Sequence, residues 1–274
     1  MGLRPMAEIK APEILELLRP LEARGRLETA RRLRSTIGEV FRYAVATGRA
    51  EADPTGALRG AIATPKVTPR AAIVAPAAFG GLLRAIADYQ GAPETCAALE
   101  LLALTFVRPG ELRAAEWAEF DLGATVWEIP RGRMKMRKAH RVPLAPRAVA
   151  ILHELHRLTG HGRLLFPSLR SVERPISENT LNAALRRMGF AKDEMTGHGF
   201  RAAASSMLNE STLWHADAIE RQLAHADADT IRSAYARAEY WDERVTMMTW
   251  WADRCEELRR GGTVVPFVKT AGAG

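Results

Sequence analysis

Residues 125–144 read TVWEIPRGRMKMRKAHRVPL, the one stretch of this chain whose alternation of apolar and polar side chains has the period of two of a β-strand. TVWEIP and RMKMRKAHRVPL are each expected to form a strand, and together a small antiparallel sheet. Elsewhere the apolar residues recur at helical spacing. The expected fold class is therefore mainly α with a small antiparallel β-sheet. In the second strand Lys135 stands on the face opposite Met134 and Met136, with Arg133 and Arg137 beside it, so a row of cations is expected to point outward. Lys138 falls on the methionine face by strict alternation. The plainer reading of such a row is a solubilising strand edge.

Helices are expected before and after this segment. Pro12 to about Arg19 carries Ile14, Leu15, Leu17, Leu18 and Leu21. A second helix starts near Glu28, carries Leu33, Ile37, Val40, Phe41 and Ala44, and ends at Gly48, a suitable C-cap residue. Its other faces hold Arg31, Arg32, Arg34 and Arg42, able to meet phosphates or simply to be solvated. Prolines 54, 65, 69 and 76 then break the periodicity, and TPKVTPRAAIVAP reads as a linker. Further helices are expected near 77–88, 94–106, 110–118, 146–159, 177–188, 199–209, 214–224 and 229–258. The domain reading is 1–62 as a small, partial helical domain, 63–76 as linker, 77–260 as the main domain and 261–274 as a loose tail.

The 274 residues carry a formal charge of +7 and are 47% hydrophobic, which suits a packed core and a polyanionic partner. Residues 131–141 hold six Lys or Arg and no acid. Cys96 and Cys255 lie far apart and form no metal or redox motif. The N-terminus is charged and proline-broken rather than a signal peptide, and no uninterrupted apolar run reaches membrane-spanning length. A cytoplasmic location is the expectation. No Gly-Lys-Ser/Thr phosphate loop supports ATP use, and no serine elbow is present. His153, His156 and His161 lack a Cys or carboxylate to complete a metal site. Glu116, Glu119 and Asp121 could serve a divalent-metal nuclease, but WAEFDL reads as a helix end and turn.

Six ionisable residues stand out by context: Arg108 in TFVRPGEL, Lys135, His198 and Arg201 in TGHGFR, His225 in LAHAD, and Tyr235 in SAYARAEY. Arg108 precedes Pro109, a first-turn residue, and Glu111 three residues on can orient its guanidinium. A planar fork of this kind matches two phosphate oxygens, although a surface ion pair is the simpler account. His198 and Arg201 share one face at a helix start. His225 ends the helix bearing Ile219 and Leu223, where a histidine can merely complement the helix terminus. Tyr235 shares a stripe with Ile231, Ala238, Trp241, Val245 and Met248, which by itself suggests a core tyrosine. Tyr240 falls off that stripe and competes with it by exposure.

Taken in order, TFVRPGELRAAEW, MKMRKAHRVPL, RPISENTLNAALRRMGF, MTGHGFRAAASSMLNE, AIERQLAHAD and YARAEY resemble the tyrosine recombinase (phage integrase) family, in particular its prophage and genomic-island integrases. The resemblance covers roughly residues 10–258. It implies a recombinase catalytic fold preceded by a helical core-binding domain, and a site-specific recombinase that cleaves and rejoins DNA through a 3′-phosphotyrosyl intermediate, for integration or excision of a mobile element. It implies Arg108, Lys135, His198, Arg201, His225 and Tyr235 as catalytic residues, with Glu111 in support. Ten residues separate His225 from Tyr235, where nine is commoner in the family, so Tyr240 stays a minor candidate. Phe106 stands where many relatives carry glycine. The DNA-contacting set read beside these is Arg31, Arg32, Arg34, Arg42, Arg133, Arg137 and Lys138. Double-stranded DNA, a homotetramer on it and accessory DNA-bending proteins are the implied partners, and no cofactor or metal is implied. The additional N-terminal arm-binding domain usual in the subgroup is not recognisable in this chain. The alternative reading is a truncated, non-recombining DNA-binding relic or regulator.

Overall fold

The computed structural model describes residues 4–65, 71–134, 137–225 and 239–261. Contacts divide the chain into two compact units, Met1–Pro69 and Arg70–Gly274, so the division falls inside the stretch read as a linker. Residues on the far side of the break already belong to the second unit, since Ile73 is buried in its core.

In the first unit two helices, α1 (Ala11–Ala23) and α2 (Leu27–Ala46), pack together and are closed by a short turn at Pro54–Leu58. Ile14 and Leu18 from α1 and Ala30 and Phe41 from α2 meet Leu58 and Ile62 in a small core. α1 runs a full turn beyond its expected end, through Pro20. Val40 and Leu17 do not join the core and are about half exposed. Asp53 caps the closing turn by accepting from the Thr55 amide and hydroxyl. A side chain at Gly38 would meet the Thr55 hydroxyl at 2.6 Å, so this glycine lets the turn lie against α2.

The second unit is helical around one three-stranded sheet. Its helices are α3 (Pro76–Ala87), α4 (Pro93–Thr105), α5 (Pro109–Arg113), α6 (Pro146–Thr159), α7 (Thr180–Arg187), α8 (Gly199–Ser211), α9 (Ala216–Gln222) and α10 (Trp241–Arg260). Proline at the first position of α3, α4, α5 and α6 fits the turn in which no donor is needed. The sheet orders β1 (Phe120–Asp121), β2 (Val126–Ile129) and β3 (His140–Pro143) as antiparallel neighbours. Pairing of Trp127 with Val142 and of Ile129 with His140 puts all four on the buried face. A second hairpin, β4 (Pro167–Ser168) with β5 (Ser171–Pro175), has no counterpart in the sequence reading.

Three expectations change. The second strand spans only His140–Pro143, because Pro130 leads into a single 3₁₀ turn at Arg131–Arg133 and Arg137 adopts a left-handed backbone with φ 51°. Strand alternation therefore does not order Arg133, Arg137 and Lys138. The helix read over 110–118 ends at Arg113 and resumes as a 3₁₀ turn at Trp117–Glu119. The helix read over 229–258 starts, where described, only at Trp241, since Tyr240 has φ 48° and cannot continue a right-handed helix. The part of that expected helix before residue 239, with Ile231, Tyr235 and Ala238, lies outside the described residues.

α10 is an internal core helix. It buries Met247, Met248, Trp251, Ala252, Cys255 and Leu258, and the Trp251 indole donates to the Ala103 carbonyl of α4 at 2.9 Å. Arg84 of α3 closes its end by donating to the carbonyls of Leu258 and Arg259, each at 3.1 Å. This packing fixes the start of α10 beside β3 and α9, where the candidate site lies.

Candidate active site

Two arginines from separate elements converge on the end of α9. Arg108 is the N-cap of α5; its Nη1 donates to Glu111 Oε1 at 2.7 Å and its Nη2 to the Ala224 carbonyl at 2.9 Å. Glu111, only 5% exposed, also accepts from the Arg108 amide at 3.0 Å. Arg201, on the first turn of α8, donates from Nη1 to the Phe106 carbonyl at 2.8 Å and from Nη2 to the Leu223 carbonyl. The two heads thus hold neighbouring carbonyls of one peptide segment. Phe106 can present its carbonyl because it turns left-handed at φ 40° as the C-cap of α4. That conformation suits glycine better, but the fully buried Phe106 ring packs edge-on against Trp251 with centroids 5.9 Å apart.

The start of α8 is built by close approach. Asn182 of α7 accepts from the Gly197 amide at 2.9 Å, and a side chain on Gly199 would meet the Ala71 carbonyl oxygen and Met195 Sδ at 2.6 Å each. His198 is the N-cap residue and is exposed. His225 follows Ala224, whose left-handed φ of 47° turns the chain out of α9. Its Nδ1 lies 2.6 Å from Glu220 Oε2, and the ring is about half exposed.

Arg133 is held inward, bridging the Glu119 carboxylate and the Glu111 carbonyl. Glu119 also accepts from the Trp127 indole at 2.9 Å, and burial raises its carboxyl above the usual range despite the guanidinium. Glu119 is therefore part of a tie between the sheet and α5. Arg137 and Lys138 are exposed. Tyr240 stacks on His215 with centroids 5.3 Å apart, and its hydroxyl lies 3.4 Å from Asp217 Oδ2. Lys135 and Tyr235 lie outside the described residues. His156 packs edge-on against Trp117.

In the first unit Arg31, Arg34 and Arg59 line one recess, and Arg34, Arg42 and Arg59 line the next. Arg42 pairs with Asp53 at 2.9 Å, Arg32 with Glu28 at 2.9 Å, and Arg34 donates to the Leu58 carbonyl at 3.3 Å. Arg59 was not singled out in the sequence; its place after the Asp53-capped turn sets it beside α2.

Three residues at the site went unread in the sequence. Buried His140 of β3 lies 3.2 Å from the Gln222 carbonyl through Nε2, which must be the protonated nitrogen to donate there. Burial, then the charges of Arg244, Arg201 and Arg108, lower its pKa to about 3, so the ring is neutral. Gln222 is 1% exposed and its Oε1 accepts from Arg244 Nε at 3.0 Å and Nη2 at 2.8 Å. Arg244 is 2% exposed. The signals were a histidine on the apolar face of β3 and an arginine on the buried stripe of α10.

The carbonyls of Gln222, Leu223 and Ala224 are therefore gripped in succession by His140, Arg201 and Arg108. Arg108 and Arg201 thus bring two planar guanidinium forks, of the kind that matches phosphate oxygens, to one short segment. Among the described residues no group of His, Cys, Asp and Glu could hold a metal ion, and no helix is long and apolar enough to cross a membrane.

Residues 81–241 match the model of the phage integrase family, and residues 1–61 match the phage integrase central domain. The integrase of Enterobacteria phage P4 is 38% identical over 92% of this chain and 61% of its own length. The IntB protein of Escherichia coli strain K12 is 40% identical over 97% of this chain and 70% of its own length. The chain thus spans about three fifths to seven tenths of these relatives. A lambda integrase (75–356) dimer bound to a COC′ core site has a similar fold, with a TM-score of 0.63 at 22% identity over 86% of this chain and 83% of that one. The Tn1549 transposon integrase in complex with transposon right end DNA gives a TM-score of 0.64 at 14% identity over 94% and 88% of the two chains.

Proposed function

The chain belongs to the phage integrase family, and on that footing we propose that it is a site-specific recombinase, cleaving and rejoining duplex DNA through a 3′-phosphotyrosyl intermediate for integration or excision of a mobile element. The observation that carries this reading is the meeting of Arg108 and Arg201 on consecutive carbonyls at the end of α9. Chain segments far apart in sequence supply the two heads. A solubilising surface ion pair needs no such convergence.

In the proposed reaction the Tyr235 oxygen attacks a backbone phosphorus in line, forming the phosphotyrosyl ester as the bond to the 5′ oxygen breaks. Arg108 and Arg201 stabilise the nonbridging oxygens as charge gathers on them. At about 4 Å and an effective dielectric of about 20, one such contact is worth roughly 4 kcal/mol. Glu111 orients Arg108. His225, held by Glu220, adds a hydrogen bond. Lys135 protonates the departing 5′ oxygen, and His198 assists proton transfer. The ester keeps the bond energy, so the step reverses with a partner strand's hydroxyl and uses neither ATP nor metal.

We read residues 1–62 as the DNA core-binding part, 63–76 as linker, 77–260 as the catalytic domain and 261–274 as a tail. Arg31, Arg34, Arg42 and Arg59 supply phosphate contacts that position the duplex without reading its sequence. A homotetramer on DNA and accessory DNA-bending proteins complete the assembly. A nicked suicide duplex tests the chemistry, because loss of the short cleaved strand traps the covalent adduct. Wild-type protein is expected to accumulate it and Tyr235→Phe to bind without forming it. Binding by wild type with no adduct would favour a non-recombining DNA-binding protein.

A further inference from the structure

Building on the catalytic reading just proposed, we infer that Arg244 is a positioning residue for the DNA cleavage step, acting through Gln222 to set the carbonyls on which the heads of Arg201 and Arg108 rest. Arg244 occupies a core position on α10, one turn before Met247 and Met248, and is 2% exposed. Burying a guanidinium is costly unless its donors are satisfied, and a methionine or leucine would fill the same stripe. Among the described residues no carboxylate comes within ion-pair distance of it. Its donors go instead to three chain segments: the Arg141 carbonyl of β3, the Glu239 carbonyl at 3.4 Å, and Gln222 Oε1.

Each of these segments adjoins the site. Arg141 follows His140, whose ring holds the Gln222 carbonyl. Gln222 precedes Leu223 and Ala224, the acceptors of Arg201 and Arg108. Glu239 lies four residues after Tyr235 in the chain. The Gln222 side chain accepts twice from Arg244 while its own Nε2 is buried with no partner among the described residues. Turning the amide over would set its N–H groups against those of the guanidinium. Arg244 therefore dictates how Gln222 sits, and His140 grips the same residue from the other side. Removing the guanidinium leaves the fold its apolar stripe but takes away one of the two holds on Gln222.

The test compares Arg244→Met with wild type on two suicide duplexes built on a site recovered by selecting bound sequences from a random library. One carries a normal scissile phosphate. In the other a methyl replaces one nonbridging oxygen, so that the charge the arginine heads would neutralise is gone. Arg244→Met is expected to bind DNA like wild type, to form adduct at least a hundredfold more slowly on the phosphate, and to show at least a tenfold smaller preference for phosphate over the methylated duplex. Gln222→Met is expected to reproduce the reduced preference, and decides the matter where Arg244→Met does not fold. An unchanged preference, with both substrates slowed equally or neither slowed, would overturn the inference and leave the recombinase reading standing. A wild type that binds but forms no adduct on either duplex would sink that reading, and the inference with it.

Discussion

Arg108 and Arg201 rest on neighbouring carbonyls, those of Ala224 and Leu223, although 93 positions separate them in the chain. One peptide segment thus sets the spacing of both guanidinium heads. It belongs to the end of α9, and the buried His140 and the Gln222–Arg244 pair hold that end in place.

Replacing Arg201 by lysine keeps the charge and removes the fork that reaches both the Phe106 and Leu223 carbonyls. Cleavage by Arg201→Lys is expected to fall by about 10²–10³, the scale for losing one preorganised donor to a developing charge, with DNA affinity changed by less than about threefold. Single-turnover adduct formation and a binding titration check the two parts. Cleavage within a few fold of wild type would remove Arg201 from the reaction.

Gly199→Ala is expected to destabilise the second unit by about 1–3 kcal/mol, the usual scale for overpacking. Its added methyl would lie 2.6 Å from both the Ala71 carbonyl oxygen and Met195 Sδ. Gly110→Ala, where nothing lies within 4 Å, is the control and is expected to change stability little. Urea unfolding of both variants measures the contrast, and equal midpoints would contradict the packing described.

His140 makes stability depend on pH with a definite sign. The unfolded chain binds this proton near the ordinary value of 6.5, and the folded chain only near 3. The contribution is therefore complete above about pH 6.5 and declines as pH falls toward 3, by about 1.4 kcal/mol per pH unit. Between pH 7.5 and pH 5 the loss attributable to this ring is roughly 2 kcal/mol. Replacing it by glutamine is expected to remove that part of the slope in urea unfolding. A variant with the wild-type slope would show that the ring is not held neutral.

Much of this is legible in the sequence alone. Period-two alternation found the sheet at residues 126–143, and helical spacing found α6 at Pro146–Thr159 to the residue. The pairing of Arg108 with Glu111 followed from their separation of three across a proline-started turn. What escaped was set by tertiary contact. Alternation carried the second strand back through Arg133, but Arg133 turns inward to reach Glu119 and the Glu111 carbonyl, partners that no local pattern reveals. The start of α10 at Trp241 depends on left-handed Tyr240, with no glycine to announce it. Arg244 went unread because helical stripes are read from apolar residues, and its acceptors include the Arg141 carbonyl and the Gln222 amide, both remote in sequence.

The most direct measurement is to trap wild-type protein on the suicide duplex, digest the adduct and identify by mass spectrometry the side chain that carries the 3′-phosphate. The expected peptide is modified on Tyr235, with Tyr240 unmodified. A phosphate carried by Tyr240 would move the nucleophile to the residue now stacked on His215, and DNA recovered without any covalent peptide would contradict the reaction itself.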